Sequence, residues 1–169
     1  ETTIVQRLGE ATGLVTLHGL TVYFTPDEHR IPDVSVITES QLAQTQRDDM
    51  TLSIQHYGAP RVIFEIISKQ AADRKRDYEE KARQYKRWGV EVYVILDRFA
   101  HTITVHRYPR DHRSTHPADG QTRLTLIDPL EFLWDGTEAG FRAFEGAVEL
   151  LPNLKALQAK DAEIARLRA

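Results

Sequence analysis

The chain reads as an α/β protein, α+β by a stricter count, in which a mixed β-sheet is flanked by helices and followed by a C-terminal helix. Three observations predict this. RVIFEII (61–67) and VYVILD (92–97) are short, nearly continuous apolar runs of the kind that form buried strands. Between them, Asp73 to Trp88 has helical periodicity, and a strand-helix-strand order implies a right-handed crossover and a parallel strand pair. LVTLH, LTVYF and TITVHRY add further segments rich in β-branched and aromatic residues.

In chain order, residues 1–12 read as a helix end stopped by Gly13, with Ile4, Val5, Leu8 and Ala11 on one face. LVTLH and LTVYF form a meander or hairpin around Gly19, PDEHR is a turn, and PDVSVI is a strand whose approach Pro32 holds extended. Residues 38–60 read as a long connection with one short helix, and long connections are often functional. The helix ending at Gly89 is the longest. TITVHRY follows a tight turn at Arg98 to His101, residues 109–120 are a polar loop, and TRLTLI is the last strand. From Glu138 onward the spacing predicts helix, interrupted near Pro152. Leu150, Leu157 and Ile164 lie seven apart, which fits either the start of a coiled coil or an ordinary amphipathic helix. The expected organisation is a globular domain over 1–150 and a C-terminal helix over 151–169.

Composition narrows the chemistry. The chain has 169 residues, 41% hydrophobic and 28% charged, enough for a buried core without staples. With no cysteine there is no disulfide, no zinc-thiolate site and no thiol nucleophile, so any metal is held by oxygen or imidazole, which favours Mg²⁺ or Mn²⁺. No apolar run approaches a membrane span and no secretory signal is evident, so a cytoplasmic protein is expected. The opening without methionine leads us to expect a missing native N-terminal segment. Net charge is -3, yet Lys69 to Arg87 holds eight basic and four acidic residues, a local +4 that leaves the rest at -7. By itself such a run is a solvated helix laced with charge pairs.

Glu65 is the residue that the strand pattern makes conspicuous. A carboxylate in the middle of VIFEII must be paired, hydrogen-bonded or coordinated, and strand alternation puts it on the face of Ile63 and Ile67. Asp33 starts another apolar strand directly after Pro32. Two such carboxylates on neighbouring strands can share one hard cation, although an Asp after Pro is commonly a turn residue and a buried Glu is commonly a salt-bridge partner. At about 100° per residue, Lys81 shares the packed arc of the helix with Tyr78, Ala82, Tyr85 and Trp88, whereas Lys86 and Arg87 point away. An amine aimed at the carboxylates could orient a water; equally, Asp77 and Lys81 are spaced for a surface ion pair.

PDVSVI, then FEIIS, then RDYEEKARQYKRWGVEVYVILD resembles, in that order, the signature of the bacterial Uma-two family of restriction-endonuclease-like proteins, which has the PD-(D/E)XK nuclease fold. The likeness covers most of 18–108. It implies a Mg²⁺- or Mn²⁺-dependent endonuclease acting on DNA, with Asp33, Glu65 and the backbone carbonyl of Ile66 holding the metal. The lysine of the usual E-x-K motif would fall at Ile67 and is absent; the family resemblance moves it to the helix, onto Lys81. Ser68, Asp77 and Tyr85 take supporting positions. The competing expectation is a catalytically silent nuclease-fold module that binds nucleic acid or a protein partner, with a homodimer or coiled-coil partner reached through the C-terminal helix. His101 and His106 fall on opposite strand faces and His112 and His116 in the polar loop, so no shared metal site is expected from them. No phosphate-binding glycine loop or nucleophile elbow is present.

Overall fold

The computed structural model describes residues 5–7, 13–67, 74–137, 140–150 and 166–167. Its centre is a seven-stranded mixed sheet in the order β1-β2-β5-β7-β8-β9-β10. These strands are β1 (Val5–Arg7), β2 (Leu14–Leu17), β5 (Val34–Thr38), β7 (Val62–Ile67), β8 (Val92–Asp97), β9 (Thr102–Arg107) and β10 (His112–Pro117). β7 and β8 are the expected parallel pair, in register from Val62↔Val92 to Ile67↔Asp97. A small sheet of β4 (Glu28–Arg30), β3 (Thr21–Thr25) and β6 (Thr51–Ser53), and a four-stranded sheet of β11 (Leu124–Ile127), β12 (Leu130–Trp134), β13 (Phe141–Glu145) and β14 (Val148–Leu150), complete the strands.

Alternation along the central strands divides two cores. Val36, Phe64, Val92, Val94 and Leu96 face the four-stranded sheet, where Phe132, Trp134 and Ala143 cover them. Ile37, Ile63, Ile67, Tyr93 and Ile95 face the other way, against Leu20, Val22, Tyr85 and Trp88. Glu65 shares this second face.

The crossover helix contains a π-helical segment, Arg76–Lys81, that continues into α3 (Ala82–Trp88). It buries Lys81, Ala82, Tyr85 and Trp88, as its periodicity led us to expect, while Tyr78 of that arc is only half-buried and Asp77, expected in a surface pair, is buried as well. Gly89 ends it at φ 85 in the left-handed region, and the N–H groups of Gly89 and Val90 close on the carbonyl oxygens of Lys86 and Tyr85. After β5, α1 (Glu39–Arg47) begins with a capping box between Thr38 and Gln41. The Gln41 amide also reaches the carbonyl oxygens of Tyr57, Gly58 and Ala59, at 3.1–3.2 Å, fixing the chain between α2 (Ile54–Tyr57) and β7.

Several expectations change. Val5–Arg7 is a strand paired antiparallel with β2, not a helix end, because the outer edge of β2 offers backbone groups with which an extended segment can bond. PDEHR turns only at its start; Glu28–Arg30 pairs back on β3. The 38–60 connection holds two helices and β6. The polar loop 109–120 contains β10, an outer strand whose residues are mostly exposed and so lack apolar alternation. β11 is not the last strand, and 141–150, expected to be helical, is a β-hairpin turning at Gly146, φ 61. Its buried Ala143 and Phe144 pack on β12, a tertiary pairing that outweighs local spacing. Ser68 and the C-terminal segment 151–169, apart from helical Arg166 and Leu167, lie outside the described residues. No described helix is long and apolar enough to cross a membrane.

Candidate active site

Register brings the two strand acids together. β5 and β7 are antiparallel with Val34↔Phe64 and Ser35↔Ile63, so the next step of the ladder sets Asp33 across from Glu65. Asp33 is exposed at the strand start, and its Oδ2 accepts the backbone N–H of Ile66 at 2.7 Å, which anchors the carboxylate over the end of β7. Glu65 is only 4% exposed. Its Oε1 accepts the Tyr85 hydroxyl at 2.6 Å and its Oε2 lies 3.0 Å from the Lys81 ammonium.

Lys81 is also buried, and its Nζ lies 2.8 Å from Asp77 Oδ1 as well. The i, i+4 pair expected at the surface is therefore an interior bridge between two buried carboxylates. Below it, Tyr93 donates to the backbone carbonyl of Asp77 at 2.9 Å. The π-helical turn spans Asp77 and Lys81; such turns re-aim side chains and recur at functional sites.

The electrostatics are out of balance. Asp33, Glu65 and Asp77 bring three negative charges and Lys81 one positive charge, a formal -2. Arg76 approaches Asp77 only to 3.8 Å from a half-exposed position. Burial, together with the charge of Asp33, pushes the Glu65 carboxyl up to about 7 against the opposing pull of Lys81 and the Tyr85 hydrogen bond. Burial and the neighbouring Glu65 push the Tyr85 phenol upward, so it stays protonated and donates. A divalent cation would cancel the excess. The donors are hard oxygens, carboxylates of Asp33 and Glu65 with the Ile66 carbonyl at the same strand end, and they suit Mg²⁺ or Mn²⁺. Among the described residues no three His, Asp or Glu side chains converge on one point, so water would complete most of the shell.

The structure thus brings Asp33, Glu65, Asp77, Lys81 and Tyr85 into one network. Two contributors escaped the sequence reading. Tyr93, read as a core strand residue, supports Asp77. His18, at the end of β2, feels the charge of Asp33, which opposes the lowering of its pKa by burial. No sequence signal marked it, because the antiparallel register of β2 on β5 is what brings His18 beside the start of β5. His101 lies in a turn, φ 53, while His112 and His116 lie on β10 rather than in a loop, and no metal cluster includes them among the described residues.

Asp33 and Glu65 at neighbouring strands and Lys81 on the crossover helix thus sit on a mixed α+β scaffold. The family model described as "Putative restriction endonuclease", Uma2, matches residues 2–137, and the chain belongs to that family. No curated protein matches it. Among solved structures, a protein titled a putative nuclease from Anabaena variabilis is similar at 16% identity and a TM-score of 0.49; the alignment covers 68% of this chain and 60% of that one.

Proposed function

We propose that the protein is a Mg²⁺- or Mn²⁺-dependent endonuclease that hydrolyses phosphodiester bonds in DNA. The observation that carries this reading is the register-matched acid pair with an excess of two negative charges beside a buried lysine. Asp33, Glu65 and the Ile66 carbonyl would hold the cation, which when bound supplies a Lewis acid and a counter-charge for the phosphate. Lys81 opposes the cost of an ionised Glu65 and holds it in place, and it is ion-paired with Asp77 as well. An ammonium in this position would orient an attacking water or stabilise charge on a phosphate oxygen. Tyr85 fixes the Glu65 rotamer so that the carboxylate stays aimed at the strand end.

A second reading, a silent nuclease-fold module, draws on the saturation of both Glu65 oxygens by Tyr85 and Lys81 and on the isoleucine where the strand lysine is expected. Incubation of purified protein with supercoiled plasmid and with labelled oligonucleotides separates the two. Cleavage that requires Mg²⁺ or Mn²⁺, stops with chelator and is lost in Asp33→Ala supports the endonuclease; binding without cleavage under every metal supports the module.

A further inference from the structure

Away from the acid pair, on the far flank of the crossover helix, three rings form a short stack. Tyr93, His106 and Tyr108 are nearly parallel, with interplanar angles of 20° and 22° and centroids 5.7 and 6.0 Å apart. The stack runs from a fully buried ring, Tyr93, to a half-buried one, Tyr108, whose hydroxyl donates to the Ala82 carbonyl at 2.8 Å and ties it to α3. Tyr108 and Asp111 border two adjoining hollows. One, about 330 Å³, is lined by Tyr78, Ala82, His106, Arg83 and Lys86 among others; the second, about 580 Å³, continues past Arg107 and Arg110. A cavity of roughly 150 Å³ already accepts benzene, so either has room for a nucleobase. His106 Nε2, at the wall of the first, is buried and has no hydrogen-bond partner among the described residues.

The charge around the rings is opposite to that of the whole chain. Arg83, Lys86, Arg107 and Arg110 line the two hollows together with Glu79 and Asp111, a local +2 on a protein of net -3; Arg113 pairs with His106 across β9 and β10, and Glu80 shares a separate hollow with Arg83. Arg107 is committed to the carbonyls of Thr125 and Leu126 and Lys86 to Asp111. Arg83 and Arg110 have no ion-pair partner among the described residues, and Arg113 lies 5.7 Å from the Tyr78 ring. Aromatic rings interleaved with uncommitted arginines are the means by which proteins hold single strands: bases stack, guanidinium groups meet phosphates, and sequence matters little.

We propose that this face is a binding site for single-stranded nucleic acid, in which a base stacks at Tyr108 and the flanking phosphates meet Arg83 and Arg110. The proposal rests on the nuclease reading for its purpose, since it would hand the catalytic acids an unpaired or frayed strand, but its physical content is independent of cleavage. Double-stranded DNA buries its base faces and offers nothing to the stack, so the site discriminates by strandedness.

The test is fluorescence anisotropy of labelled oligonucleotides with the full chain in chelator, so that cleavage plays no part. The probes are a single strand, its duplex, and an abasic strand of equal charge. The expected order is single strand tightest, with duplex and abasic strand about tenfold or more weaker. Tyr108→Leu should bring the single strand down to the abasic level. Arg83→Ala/Arg110→Ala should weaken single-strand and abasic binding together and reduce the salt slope by about 1.4, two phosphates at roughly 0.7 each. Arg47→Ala, at the end of α1, should change neither. Thermal melts check that each variant is folded, and Tyr108→Trp, which keeps a stacking ring, should retain the base-dependent part. Equal affinity for all three probes, tighter duplex binding, or indifference to the Tyr108 and arginine variants overturns the proposal. Absence of cleavage with metal restored, while single-strand preference persists, would fault the catalytic reading and leave this site standing.

Discussion

Glu65→Gln is expected to change the pH dependence of folding in a direction fixed by burial. In the folded protein this carboxyl is pushed from 4.5 to about 7, chiefly by desolvation. The folded state therefore binds the proton more tightly than the unfolded state. Above about pH 7 the group is ionised in both states and the full penalty of the buried charge is present; as pH falls toward 4.5 the folded state takes up the proton and the penalty disappears. The shift corresponds to roughly 3 kcal/mol at 1.36 kcal/mol per unit. Gln is neutral and can still accept from Tyr85, and Lys81 keeps Asp77 as its partner. In chelator, urea unfolding at several pH values between 5 and 8 should show the variant gaining on the wild type as pH rises, with most of the gain complete just above pH 7. Saturating Mg²⁺ should narrow the gap by stabilising the wild type alone. Parallel profiles, or a variant that loses ground as pH rises, would refute the reasoning, because Lys81 and Tyr85 would then more than repay the burial of the carboxylate.

Lys81→Ala removes the cation shared by two buried acids, so it should cost about 3–5 kcal/mol of stability in chelator and about 10²- to 10⁴-fold in single-turnover cleavage with metal; Lys86→Ala, whose ammonium meets exposed Asp111, should change mainly the salt dependence of DNA binding. Tyr85→Phe keeps the ring packing on Trp88 and Tyr93 but removes the donor to Glu65, so the unfolding profile should report a Glu65 carboxyl titrating higher than in the wild type. Gly89→Ala forces a side chain into the left-handed region at φ 85 and should lower stability by about 1–2 kcal/mol, read by urea unfolding, with no change in metal binding.

Much of the site was legible because a charged residue inside an apolar run has few explanations. Glu65 in VIFEII and Lys81 on the arc of Tyr85 and Trp88 both broke a pattern that otherwise predicted burial, and both are buried. The parallel β7–β8 pair followed from one helix between two apolar runs. Less legible was what depends on partners distant in sequence. HRSTHP has no apolar alternation because β10 lies at the outer end of the sheet, and FRAFE resembles a helix until β12 is there to pair with it. The π-helical turn that holds Asp77 and Lys81 departs from the 3.6-residue period, and no residue type announces it. That Asp33 opposes Glu65, rather than merely preceding an apolar strand, depends on the antiparallel register of β5 on β7.

The central claim is that the excess negative charge at Asp33 and Glu65 holds a divalent cation at the end of β7. Substoichiometric Mn²⁺ added to isotope-labelled protein tests it most directly, because paramagnetic broadening of backbone amide signals locates the ion. The account predicts that the signals of Val34, Glu65 and Ile66 vanish first, that excess Mg²⁺ restores them, and that Asp33→Asn and Glu65→Gln each abolish the effect. Broadening centred instead on exposed acids such as Asp119 or Asp135, or unchanged by either substitution, would contradict it.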